Sequence, residues 1–134
     1  MIIYNSGFLI LDYDPGTDIL TVSLPPMEDI LIPEISRSFG IIVENARNYD
    51  IKRLLFNASD AQAEVQEEAF VPVISEFVKN LCSTRVQKIA RVTSSSFFRE
   101  HVVKKVFKES PSSIQFQSFT EVEPALEWLK EELS

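Results

Sequence analysis

The sequence predicts an α/β fold: a mixed β-sheet with an N-terminal antiparallel hairpin, then parallel strands, and about four helices packed on it. Three observations carry that prediction. Leu54-Leu55-Phe56, three large apolar residues with no polar break, read as a strand covered on both faces. Asp14-Pro15-Gly16-Thr17 stands between two strand-like segments, as in a hairpin. Beyond it, helical and strand patterns alternate, and strands separated by helices must pair in parallel. At 134 residues the expectation is one domain over 1–134, large enough for an ordinary core.

Taken in order, residues 2–4 predict a short edge strand, turned at Asn5-Ser6-Gly7. Residues 8–13 and 19–24 form the hairpin. Proline is pre-set for the second turn position, and Gly16 is free to take positive φ at the third. Leu20, Val22 and Leu24 share one face of the second strand, Thr21 and Ser23 the other, and Pro25-Pro26 ends it. A loop over 27–32 delivers the chain to a first helix over 33–49, with Ile35, Phe39, Ile42, Ala46 and Tyr49 as its apolar stripe. Gly40 lies within it at a cost of about 1 kcal/mol relative to alanine. Close packing against the sheet would account for it.

The central strand runs from Arg53 to Asn57, and the polar run Ala58-Ser59-Asp60-Ala61-Gln62 leads out of it. Phe70, Ile74, Phe77 and Leu81 mark a second helix, widened by Val73 and Val78; Pro72 either kinks it or marks its start. Residues 88–92 form the next strand. Ser94-Ser95-Ser96 offer N-caps for a third helix over about 97–109, which Pro111 stops. Residues 114–119 predict a strand with Ile114, Phe116 and Ser118 on one face. Thr120 with Glu123 reads as a capping box for a last helix with the stripe Val122, Leu126, Leu129 and Leu133.

Composition narrows the function classes. Hydrophobic residues at 45% and charged residues at 25% are the balance of a globular protein. The single cysteine, Cys82, excludes an intramolecular disulfide and fits a reducing compartment; its apolar neighbours Phe77, Val78 and Leu81 predict a buried thiol. No basic residue precedes the first apolar stretch, so no secretory signal is expected, and no apolar run approaches the roughly 20 residues that span a bilayer. The expected location is cytoplasmic, not membrane-spanning. A net charge of −7 argues against nucleic acid as a partner of the whole surface. That charge is uneven: residues 85–108 hold seven of the thirteen Lys and Arg and one acid, Glu100, a local +6 against −13 elsewhere.

Catalytic motifs are mostly absent. Three glycines, at Gly7, Gly16 and Gly40, cannot make a phosphate-cradling loop by motif. The sole histidine, His101, has no neighbouring ligand type for zinc, and no cofactor is expected. Two candidate sites remain. One lies where the central strand ends, a common place for binding sites in open α/β sheets. It comprises Asn57, Ser59, Asp60 and Arg91 with the helix start Ser94, Ser95 and Ser96, and would hold a small anion. In it Arg91 shares the face of Ile89 on a covered strand and needs an acceptor, for which Asp60 is a candidate; the simpler alternative is a side chain snorkelling at the sheet margin. The other is the outer face of the third helix. At about 100° per residue, Phe97, His101, Lys104 and Lys108 fall together with Lys105 at their edge. Phe98, Val102, Val103, Val106 and Phe107 form the opposite, core-facing arc.

The order of elements and several segments resemble the SpoIIAA-like proteins of bacteria, whose architecture is shared with STAS domains and likened to lipid-binding SEC14 domains. The resemblance rests on the opening Met1-Ile2-Ile3-Tyr4 and hairpin, on Lys52-Arg53-Leu54-Leu55-Phe56-Asn57, and on Phe70-Val71-Pro72. Lys88-Ile89-Ala90-Arg91-Val92 and Ala125-Leu126-Glu127-Trp128-Leu129 complete it. It implies a STAS-like fold and a small regulatory or binding protein, often dimeric. STAS proteins that antagonise anti-sigma factors carry Asp-Ser-Ser-Gly, with a phosphorylatable serine, where this chain has Asn57-Ala58-Ser59-Asp60-Ala61-Gln62. Ser59 is then better read as a backbone-bonding turn residue than as a phosphoswitch. The functional expectation is a noncatalytic module that binds a protein partner, its own copy included. The alternative is a carrier or sensor of a small apolar or anionic molecule, such as a lipid or nucleotide.

Overall fold

A computed structural model of the chain describes residues 1–5, 9–23, 32–57, 67–93, 101, 104–106, 108 and 114–131. The elements are β1 (Ile2–Asn5), β2 (Ile10–Asp14), β3 (Ile19–Ser23), α1 (Ile32–Asn48), β4 (Arg53–Asn57), α2 (Glu67–Leu81) and β5 (Lys88–Val92). A helix α3 follows, described at residues 101, 104–106 and 108, and then β6 (Gln115–Phe119) and α4 (Val122–Lys130). The six strands form one sheet in the order β1-β2-β3-β4-β5-β6. β1, β2 and β3 pair antiparallel; β3 to β6 pair parallel. The predicted mixed α/β architecture with four helices is therefore present.

Strand alternation divides the core into two layers. Leu20, Val22, Leu54, Phe56 and Ile89 face Ile42, Val43 and Ala46 of α1 and Phe77 and Leu81 of α2. On the other face, Ile19, Leu55, Ala90 and Val92 meet Ala125 and Leu129 of α4. Each fully buried leucine is worth about 1.5–3 kcal/mol, so β4 is held from both sides. The ring of Phe77 joins the first layer, stacking on Phe39 at 4.3 Å and meeting Phe56 edge-on at 5.6 Å.

Several local expectations are corrected. Tyr49 leaves the α1 stripe and is exposed, while Val43 joins the buried face. The cause is a left-handed helix end. Asp50 takes φ 52°, its N–H bonds the carbonyl of Arg47, and the N–H of Ile51 reaches back to the carbonyl of Ala46. That is a Schellman arrangement, sealed by the buried pair Ala46 and Ile51. Gly40 is not a close-packing device: it is exposed, and a β-carbon there would meet nothing within 4 Å.

In the hairpin, positive φ falls at Asp18 (55°) and not at Gly16. Asp14 organises the turn instead, its carbonyl accepting from the N–H of Thr17 and its carboxylate from Gly16 N–H and the Thr17 hydroxyl. Asn5 belongs to β1, paired with Ile10, and is not a turn residue. Pro72 lies inside α2, five residues after its first, so it does not mark the helix start. The capping box is out of register by one residue: Glu121 is the N-cap of α4 and makes no side-chain cap bond. The stripe of α4 is centred on Ala125 and Leu129, with Val122 and Leu126 half-buried. The side chains of Ile35 and Phe70, and residues Ser6, Gly7, Phe8, Leu24, Pro25, Pro26, Pro111 and Leu133, lie outside what is described.

Candidate functional site

The structure describes two members of the strand-end site, Asn57 and Arg91. The register pairs Phe56 with Arg91 and Asn57 with Val92. Arg91 therefore lies on the α1/α2 face with Ile89, and Asn57 on the α4 face with Leu55. Ser59, Asp60, Ser94, Ser95 and Ser96 lie outside the described residues. Arg91 is 8% exposed and is flanked across the strands by Phe56 and Ser118. Among the described residues, the buried Ser118 hydroxyl has no hydrogen-bond partner.

The third-helix face is described at four positions. His101, Lys104, Lys105 and Lys108 are exposed while Val106 is buried, which matches the predicted division of that helix into a polar and a core side. Phe97, Phe98, Val102, Val103 and Phe107 lie outside the described residues. The structure also sorts the basic segment that the sequence shows as one run. Lys88 and Arg91 are buried in the sheet, and Arg85 pairs with Asp50 at 3.4 Å. Arg85 and the α3 lysines are thus its outward charges among the described residues, Arg85 already engaged with Asp50.

Two features escaped sequence reasoning. Cys82 is exposed, not buried. At about 100° per residue, the buried arc of Ile74, Phe77, Val78 and Leu81 leaves Cys82 on its shoulder, nearer the exposed Ser75. The helix also ends there, with the hydroxyls of Ser83 and Thr84 donating to the carbonyls of Asn80 and Leu81. Cys82 lines an open depression of about 430 Å³ with Lys52, Thr84, Arg85, Gln87 and Ile114. It lies where β4, β5 and β6 begin, the opposite end of the sheet from Asn57.

The second feature is Tyr13. Its hydroxyl donates to Asp18 at 2.8 Å, and its ring lies 5.9 Å from that of Tyr49. Burial first, then the Asp18 hydrogen bond and the charges of Asp18, Asp14 and Asp50, push its phenol up to about 12. Aspartates at 14, 18 and 50 converging on one ring follow from two turns meeting in space, which linear spacing does not show.

The fold and surface define an α/β protein with a mixed sheet, a basic helix face and an aromatic corner set among carboxylates. A search against protein-family models finds no match for this chain, and no curated protein matches it. Among the described residues, no helix is long and apolar enough to cross a membrane.

Proposed function

We propose that the chain is a noncatalytic regulatory module of the SpoIIAA-like, STAS-like kind, working in the cytoplasm by docking an acidic protein surface on α3. The observation that carries this reading is the exposed set His101, Lys104, Lys105 and Lys108 above a buried Val106, on a chain of net charge −7. Cations concentrated on one helix face of an acidic molecule steer an anionic partner there and repel it elsewhere. The hairpin followed by parallel strands agrees with the STAS-like resemblance.

The test is chemical-shift mapping with a glutamate-rich peptide at low and high salt. Shifts should concentrate at residues 101, 104, 105 and 108, weaken with salt, and vanish in Lys104→Glu/Lys108→Glu with the dispersed spectrum retained. Undiminished binding by that variant overturns the reading. So does enzymatic turnover that disappears when His101 or Ser59 is changed.

One observation favours a second reading, that of a small-anion sensor. The depression lined by Lys52 and Arg85 offers two cations beside the Thr84 hydroxyl and the Gln87 amide. Inorganic phosphate titrated against the parent chain and Lys52→Met separates the two readings, since α3 plays no part in that site.

A further inference from the structure

Tyr49 is 45% exposed, the most exposed of the described aromatic residues. It stands at the left-handed end of α1, with its ring tilted 47° against Tyr13. Asp18 and Asp50, both at positive φ, hold carboxylates close to this ring pair, and Asp14 adds a third from the hairpin turn. Cations stand nearby among the described residues, the N-terminal ammonium included, which is held by the Asp12 carboxylate at 2.8 Å and the Tyr13 carbonyl at 3.1 Å. Arg85 pairs with Asp50 in an exposed contact of little strength, and Arg53 donates to the Thr17 carbonyl at 2.7 Å. At the Tyr13 phenol itself it is the carboxylates that are felt: burial first, then Asp18, Asp14 and Asp50, all act to raise it.

Tyrosine faces bordered by carboxylates recognise an ammonium group, through the ring quadrupole and through direct charge attraction. The chain displays such groups itself, at Lys104, Lys105 and Lys108 of α3. They cannot reach their own corner. Tyr13 lies on β2, whereas α3 links β5 to β6, and at about 4.8 Å per strand the nearer of these is roughly 14 Å away. The two surfaces are complementary but sit toward opposite edges of one sheet, the arrangement that gives heterologous contacts between copies.

We propose that the Tyr13–Tyr49 corner of one copy receives the α3 lysines of a second copy, so that the protein self-associates head to tail. This rests on the reading of α3 as a docking face and names the partner. The acidic surface it takes is the aspartate-rimmed tyrosine pair of the same chain.

Sedimentation of the full chain at low salt tests it. The parent should form species of at least twice 15.3 kDa, weakened tenfold or more by about 0.5 M salt, where screening acts within a few ångströms. Tyr49→Lys, in an exposed turn, and Lys104→Glu/Lys108→Glu should each be monomeric alone. Mixed in equal amounts they should recover a 1:1 dimer that grows no further, because one intact corner and one intact α3 remain between them. Asp18→Asn, which tolerates the same backbone conformation, should weaken association without unfolding the turn.

A parent chain that stays at 15.3 kDa near millimolar concentration overturns the proposal. Self-association by either variant alone does so too, as does a mixture that stays monomeric. If the parent is monomeric while the glutamate-rich peptide still shifts the α3 resonances, self-docking fails and the broader function stands. Loss of both removes the two together.

Discussion

Lys88 is 2% exposed within β5, and its ammonium donates to the Trp128 carbonyl at 2.9 Å while lying 4.7 Å from the centre of the Trp128 ring. A cation at the last turn of α4 complements the helix dipole, and the carbonyl it bonds also accepts from Glu131 N–H. Lys88→Met keeps the aliphatic stem and removes the charge. It should cost about 1–2 kcal/mol, less than the hydrogen bond and ring contact together because an ammonium no longer has to be desolvated. Urea denaturation gives the size, and the emission of Trp128, the sole tryptophan, reports whether α4 has shifted. Tyr13 gives a pH prediction. Its phenol titrates near 12 in the fold against about 10 in the unfolded chain, so from about pH 10 the unfolded state loses the proton first. Stability from this group is full below pH 10 and is lost as pH rises through 12. Tyr13→Phe should therefore flatten the fall in melting temperature across that window relative to the parent; parallel curves would show that the burial and the Asp18 contact that raise the phenol do not persist together in solution.

Helix ends are where sequence and structure part company. The strands were legible because Leu54-Leu55-Phe56 and the alternation of Leu20 and Val22 reflect burial directly, and all five are buried as their pattern demands. Tyr49 is the last member of the α1 stripe by spacing, yet α1 ends at Asn48 and a backbone turn at Asp50 removes Tyr49 from the helix before spacing can apply. Cys82 fails similarly, one residue beyond α2. Of the site residues, the outward lysines of α3 were legible from periodicity, whereas the tyrosine corner depends on where the hairpin turn meets the end of α1. Three substitutions test these element-level accounts. Gly40→Ala should stabilise by about 0.5–1 kcal/mol, since the added methyl meets open space and the unfolded chain loses freedom. Glu121→Asp places a short carboxylate at an extended N-cap (φ −138°, ψ 156°) and should add about 1 kcal/mol. Thr120→Ala should be nearly neutral, because Thr120 lies one residue ahead of the cap. Urea midpoints measure all three, and a loss above about 0.5 kcal/mol for Thr120→Ala would restore the capping box.

At the scale of the molecule, the strand order follows the chain without reversal, so the topology supplies no switch-point crevice at the strand ends. What it supplies is a central sheet with apolar layers on both faces. Leu54 and Ile89 face α1 and α2, while Leu55 and Ala90 face α4, and all four are essentially inaccessible. The two layers share a backbone: β4 cannot lose one cover without exposing residues that alternate with those of the other. The sheet and its covering helices should then open as one cooperative unit, with β1 and β6 at the edges opening more readily. Leu129→Ala tests this from the α4 side, where removing a fully buried leucine costs about 2–5 kcal/mol. In native-state hydrogen exchange the amides of Leu55 in β4 and Ile42 in α1 should lose protection equally, by the full change in unfolding free energy. Ile42 belongs to the layer that α4 does not join. Protection that falls at Leu55 while holding at Ile42 would mean that α4 detaches on its own, leaving the α1/α2 layer and the sheet to stand without it.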